Sequence, residues 1–233
     1  MRDVIGLLPM GGNGVRLGMP FPKPLAPTIT AQGIVPIYKH TLAHIATVSS
    51  VVYGIVREDT DKCLLRSMVQ EGVTQILTDE PNLPAALGQV GGMLAGMYHP
   101  DTLIAVGLPD SLWKLLPDRS MHDVVDACRS DGALALFHAG ADELDEVGVA
   151  DDRVIWVKTK PAKGYGRVRG WGAFVIRAGA LATFTDKQKD GPQLAKFDMG
   201  WAFLGQSVDL GTPDRYIQWH DLRRWDEIQP VRG

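Results

Sequence analysis

The sequence predicts an α/β domain of three layers, with a mostly parallel central sheet and helices on both faces. Three observations carry this. Short apolar runs alternate with helical stretches through residues 1–130; the runs are apolar throughout, as strands covered on both sides are; and the order strand, helix, strand repeats. Val4 to Met10 reads as the first buried strand, and Pro36 to Val48 as a helix with proline in its first turn. Val51 to Val56 is the next strand, followed by a helix from Asp59 to Gln70 that Asp59 or Thr60 can cap. Val73 to Leu77 reads as a strand. Pro84 to Tyr98 has helical length, and its Gly88, Gly91, Gly92 and Gly96 weaken it and suggest close packing. Thr102 to Leu108 is an apolar strand ending at Pro109-Asp110.

After residue 130 the texture changes to strands with little helix between them: Ala133 to His138, Val147 to Ala150, Val154 to Lys158 and Val168 to Ile176. The second and third of these read as a hairpin turning at Asp151-Asp152. Thr185 to Pro192 is polar, a loop or a helix start. Pro213 to Trp225 reads as a closing helix capped by Thr212. No repeat, low-complexity tract or linker interrupts the chain. One domain over 1–233 is expected, with a parallel front half at 1–130 and a more mixed back half at 131–233.

Composition narrows the function classes. The 233 residues fit one large domain at about 150 residues per domain. An apolar share of 45% is enough for a sizeable core. Net charge is −3 with no basic block, so nucleic acid is not an expected partner. Two cysteines, Cys63 and Cys128, exclude a disulfide framework and favour a reduced, cytoplasmic setting. No apolar run reaches the ~18 residues of a membrane span. The six histidines show no metal-ligand pairing beyond His40 and His44, which lie four apart on a helix and read as structural.

The most informative segment follows the first strand: Met10-Gly11-Gly12-Asn13-Gly14-Val15-Arg16-Leu17-Gly18, then Pro22-Lys23-Pro24-Leu25. A glycine-rich turn there lets backbone N–H groups approach phosphate oxygens. Gly12, Gly14 and Gly18 are spaced one residue too widely for the dinucleotide fingerprint, and no Gly-Lys-Ser/Thr follows, so a P-loop is excluded. Arg16 inside the turn and Lys23 seven residues on are suited to a triphosphate. A tight turn with two surface cations is the plain alternative.

This segment resembles the G-G-x-G-x-R-L … P-K-P-L signature of the sugar-1-phosphate nucleotidylyltransferases. Four further stretches are similar to that family, in its order. They are Val106 to Asp110, Gly148-Val149 with Lys158 to Pro161, Gly172 to Ile176, and Asp209 to Tyr216. The resemblance implies a Rossmann-like sheet of the GT-A type and an Mg²⁺-dependent enzyme. That enzyme would join a nucleoside triphosphate to a sugar 1-phosphate or similar phosphorylated acceptor, releasing pyrophosphate. By the same resemblance Arg16, Lys23 and Lys160 are catalytic, and Asp110 and Asp209 hold Mg²⁺. Met10, Gly11, Gly12, Asn13, Gly14 and Pro81 contact the nucleotide, and Gly148, Thr159, Lys160 and Gly172 contact the acceptor. On position alone, Asp110 reads first as a turn or cap residue, and Asp209 has the same ambiguity. Trp171, beside Gly172, could stack on a sugar face or lie in the core.

Three positions depart from the family pattern. Val15 replaces a threonine, Thr159 replaces the glutamate of E-K-P, and Thr78 to Ala86 contains no base-reading glutamine. Base and acceptor are therefore not transferable. The chain reads as shorter than most members, with the shortening around 178–206. A non-catalytic nucleotide-sugar-binding regulator or sensor is the alternative, and a glycosyltransferase is disfavoured because Asp110-Ser111-Leu112 is no Asp-x-Asp. The expected partners are small molecules, with no membrane, and a homo-oligomer is compatible with them.

Overall fold

The computed structural model describes residues 3–11, 21–30, 33–140, 145–158, 167–186 and 193–209. The closing helix expected at 213–225 and the polar stretch 187–192 lie outside them. Strand β1 (Val4–Pro9) leads to a 3-10 turn at Lys23–Leu25 and a small hairpin of β2 (Pro27–Thr30) and β3 (Gly33–Pro36). Then come α1 (Tyr38–Ala46), β4 (Val51–Val56), α2 (Lys62–Gln70), β5 (Thr74–Leu77) and α3 (Leu83–Met97). Next are β6 (Leu103–Gly107), β7 (Ser111–Leu115), α4 (Met121–Asp126) and β8 (Gly132–Gly140). The chain continues through β9 (Glu146–Ala150), β10 (Arg153–Lys158), β11 (Arg167–Arg177), α5 (Ala178–Leu181) and β12 (Met199–Asp209).

The main sheet runs in the order β5-β4-β1-β6-β11-β8-β12-β7, with β9 and β10 as a side hairpin attached to β11. Along that path only β11 and β7 run against the rest, so the sheet is mixed and mostly parallel. Alternation along β1 shows the three layers. Val4 and Leu8 point to the face covered by α1, α2 and α4, through Leu42, Ile45, Leu64, Met68 and Val124. Ile5 and Leu7 point to the opposite face, covered by Leu87, Val90 and Leu94 of α3 and Leu181 of α5.

The link from β6 to β7 forces the sheet to curl. Gly107 and Ser111 are four residues apart, a reach of at most about 14 Å at ~3.6 Å per residue. Four flat strand spacings of ~4.8 Å would separate β6 from β7 by about 19 Å. Because β7 still pairs with β12 at the far end of the path, the antiparallel half must fold back toward β6. The buried Thr41 of α1 braces this link, its hydroxyl donating to the Leu108 carbonyl at 2.9 Å.

Several local expectations need correction. Pro36 ends β3 and lies outside α1, because residues 27–36 pair with one another as a hairpin. Asp61 caps α2 in place of Asp59 or Thr60, its carboxylate accepting from the amides of Cys63 at 2.7 Å and Leu64 at 3.3 Å. Thr60 instead accepts from the Arg57 amide in the turn before it. The sequence does not predict β2, β3, β7, α5, β12 or α4, the last of which starts with a Ser120–Asp123 capping box. The Asp151-Asp152 hairpin is present, with Asp151 at φ 51°, a left-handed conformation that aspartate tolerates. Cys63 and Cys128 are free thiols.

A charged network closes the end of the sheet away from this link. Arg129 donates to Asp198 Oδ1 at 2.8 Å and pairs with Asp152, while the Ser130 hydroxyl donates to Asp198. The Ser130 hydroxyl first, and then Arg129, hold the Asp198 carboxyl down at about 2, below its ordinary 3.8. A depressed carboxyl stabilises the fold above its unfolded value and loses that contribution as pH falls through the folded one. Stability is therefore expected to fall between about pH 4 and pH 2, more steeply for the wild type than for Asp198→Asn. Thermal melts across that range check it, and parallel curves would remove the role of Asp198.

Candidate active site

Four parallel strands, β5, β4, β1 and β6, bring their carboxyl ends to one edge, the edge of open α/β sheets at which ligands gather. The residues just beyond those ends are Thr78, Arg57, Met10-Gly11 and Leu108-Pro109-Asp110. Of these, Thr78, Arg57, Gly11 and Leu108-Pro109-Asp110, together with Lys23, Pro24 and the turn Glu80 to Leu83, line a cleft of about 320 Å³.

Lys23 and Asp110 meet in this cleft as an ion pair, with side chains 17% and 31% exposed. A pair so open to water is worth about 1 kcal/mol or less. It can therefore be exchanged readily for a cation on Asp110 or a phosphate on Lys23. Asp209 arrives from the other end of the chain. It is the last residue of β12 and is paired in register with Ser111, the residue after Asp110. Paired residues on neighbouring antiparallel strands lie about 4.5–5.5 Å apart at Cα. The backbone thus brings together two acids nearly a hundred residues apart in sequence.

This arrangement fits a divalent cation of the magnesium type. Among the described residues no group of three or more His, Cys, Asp or Glu converges. Magnesium does not require one, since it is held by one or two carboxylates together with substrate phosphates and water.

The nucleotide residues named from the sequence divide. Gly11 and Pro81 line the cleft. Met10 is buried in the core and its amide donates to the Ile55 carbonyl at 2.8 Å, so it serves as a strand end. Gly12, Asn13, Gly14 and Arg16 lie outside the described residues, as do Thr159 and Lys160. On the acceptor side, the space beside Gly148 is filled. A Cβ there would lie 2.1 Å from Trp156, whose indole packs on it. Gly172 faces Phe137 and Trp113, with a Cβ 3.0 Å from the Phe137 ring. Trp171 is core, buried and edge-on to Phe174 at 5.7 Å.

Sequence reasoning missed two residues. Arg57 stands in the cleft wall, with its Nε donating to Asp59 at 3.3 Å and Nη1 to the Glu80 carbonyl at 3.4 Å. Gln89, on the second turn of α3, accepts from the hydroxyl of buried Thr78, which also accepts from the Glu80 amide at 3.2 Å. No motif marks either residue; α3's start at Leu83, with Asn82 as its cap, brings Gln89 under the turn. His40 and His44 are structural. The first shares a 3.0 Å hydrogen bond with Thr28 and the second stacks on Trp113 at 5.5 Å, and burial lowers both pKa values.

No protein-family profile and no curated protein sequence matches this chain. Solved structures do. A protein assigned as a glucose-1-phosphate thymidylyltransferase of Bacillus anthracis, crystallised with sucrose, superposes with a TM-score of 0.71. It is 14% identical, and the match covers 99% of this chain and 98% of that one. A UDP-glucose pyrophosphorylase of Acinetobacter baumannii matches with a TM-score of 0.68 at 16% identity, over 94% of this chain and 92% of its own. The inositol-1-phosphate CTP transferase of T. maritima matches with 0.64 at 17% identity, over 94% of each chain. This chain has the fold of the sugar-phosphate nucleotidylyltransferases. All three neighbours are matched over nearly their whole length, so the shortening expected at 178–206 is not found against them. Within that span the described residues form α5 and much of β12. No described helix is long and apolar enough to cross a membrane.

Proposed function

We propose that the protein is an Mg²⁺-dependent nucleotidylyltransferase that joins a nucleoside triphosphate to a phosphorylated small-molecule acceptor. One observation carries this reading: Lys23, Asp110 and the backbone of Asp209 meet at the carboxyl edge of the sheet, beside the cleft. An oxygen of the acceptor phosphate attacks the α-phosphorus. The bond from that phosphorus to the bridging oxygen breaks, and pyrophosphate leaves with the electron pair. A phosphate monoester is already anionic at neutral pH, so the chain need not supply a strong base.

Its work is to bring two polyanions together and align them. Lys23 is suited to the triphosphate, and Asp110 and Asp209 to the cation that accompanies it. Bound magnesium would supply positive charge against the phosphate oxygens. By the family resemblance, Arg16 steadies the α-phosphate and Lys160 orients the acceptor phosphate. Trp156, 44% exposed over Gly148, offers the acceptor side an aromatic surface.

The test is pyrophosphate release from a panel of triphosphates, each with several sugar 1-phosphates and a cyclitol phosphate, in the presence of magnesium. Turnover of at least one pair, abolished by a chelator, is expected. Binding of a nucleotide sugar with no turnover of any pair would instead identify a sensor.

A further inference from the structure

The cleft has two chemically different ends. Lys23 and Asp110 stand toward β6, while Arg57 and Thr78 stand toward β4 and β5. A nucleotide with its phosphates at the charged pair and Gly11 has the β4 and β5 end of the cleft open to its base. Arg57, the first residue after β4, is the cation waiting there. Its aliphatic stem lies along Gly11, where a Cβ would come within 3.3 Å of the Arg57 Cγ. Asp59 and the Glu80 carbonyl hold two of the five guanidinium N–H donors. The fork is thus oriented, and its remaining donors have no partner among the described residues.

We propose that Arg57 selects the nucleobase, an inference that rests on the nucleotidyl-transfer reading above. An arginine fork carries donors only, so it matches a base that turns two adjacent acceptors toward it. Guanine does so with O6 and N7, and cytosine with O2 and N3. Adenine sets its N6 amine beside N1 and beside N7, and uracil sets N3–H between its two carbonyls, so on those edges either base leaves one arm of the fork opposed.

Calorimetric titration of GTP, CTP, UTP and ATP with MgCl₂ into the wild type, Arg57→Gln and Arg57→Lys tests this without a known acceptor. The wild type is expected to bind GTP or CTP about 10- to 100-fold more tightly than ATP, the range of a bidentate base contact. The GTP and CTP titrations decide between the two bases. Both variants should lose that preference with ATP affinity nearly unchanged, since lysine keeps the charge but not the fork. Melting curves verify that the variants are folded. A wild type that prefers ATP or UTP, or variants that weaken all four ligands equally as a mere brace would, overturns the inference and leaves the proposed function standing. Failure of the wild type to bind any triphosphate removes the proposed function itself.

Discussion

Asp110→Asn is expected to lower pyrophosphate release by about 10²- to 10³-fold while leaving the fold intact, the scale seen when one preorganised electrostatic group is removed from a reacting centre. Stability should hardly change, because the carboxylate is 31% exposed and its partner Lys23 is partly open to water. Asparagine can still accept a hydrogen bond from Lys23, so the loss in the resting protein is at most about 1 kcal/mol. Turnover is a different matter, since a neutral amide is a poor ligand for a hard cation that prefers anionic oxygen. Lys23→Ala should also slow the reaction. The double variant should be less impaired than the product of the two single effects, because both side chains act at one spot. Pyrophosphate release gives the rates and a melting curve the stability. Full turnover by Asp110→Asn would mean that the acid only anchors Lys23.

The second large effect is a contrast of sign within one helix. Gly88 and Gly91 of α3 face the segment that follows β11. A Cβ at Gly88 would sit 2.2 Å from the Phe184 carbonyl oxygen, and one at Gly91 would sit 2.7 Å from the Ala182 amide nitrogen. Backbone cannot swing aside as a flexible side chain can, so α3 would have to lift off its neighbour. Gly88→Ala should therefore destabilise by about 1–3 kcal/mol, the usual range for overpacking. Gly92 and Gly96 belong to the same helix and meet nothing within 4 Å. Alanine at either should stabilise by about 0.5–1 kcal/mol through helix propensity alone. Denaturant unfolding of the three single variants measures this. Equal signs for Gly88→Ala and Gly92→Ala would show that α3 does not pack as described.

Those glycines show how local pattern and tertiary contact divide the information. The sequence marks all four as helix-weakening and suggests close packing for the set, yet only two are close-packed. Which two depends on Phe184 and Ala182, nearly a hundred residues away. The same division runs through the fold. Strands β1, β4 and β6 are legible because burial on both faces demands near-continuous apolar runs, and that requirement is written locally. Strand β12 was not legible. Gly200 and Gly205 interrupt it, and its extended form comes from pairing with β8 and β7 rather than from any pattern of its own. The hairpin of β2 and β3 is four residues per strand with a proline at either end, too short for alternation to register.

The site divides in the same way. By itself the sequence determined the layered α/β architecture, the glycine-rich segment after the first strand and the charge types of Lys23, Asp110 and Asp209, all of which are properties of short segments. Tertiary structure alone decided that the backbone of Asp209 lies beside that of Asp110, that Lys23 pairs with Asp110, that Arg57 borders the same cleft, and that Gln89 holds Thr78 in its wall. Strand order and register set those distances, and both arise from pairing between segments far apart along the chain, which no local run of residues encodes.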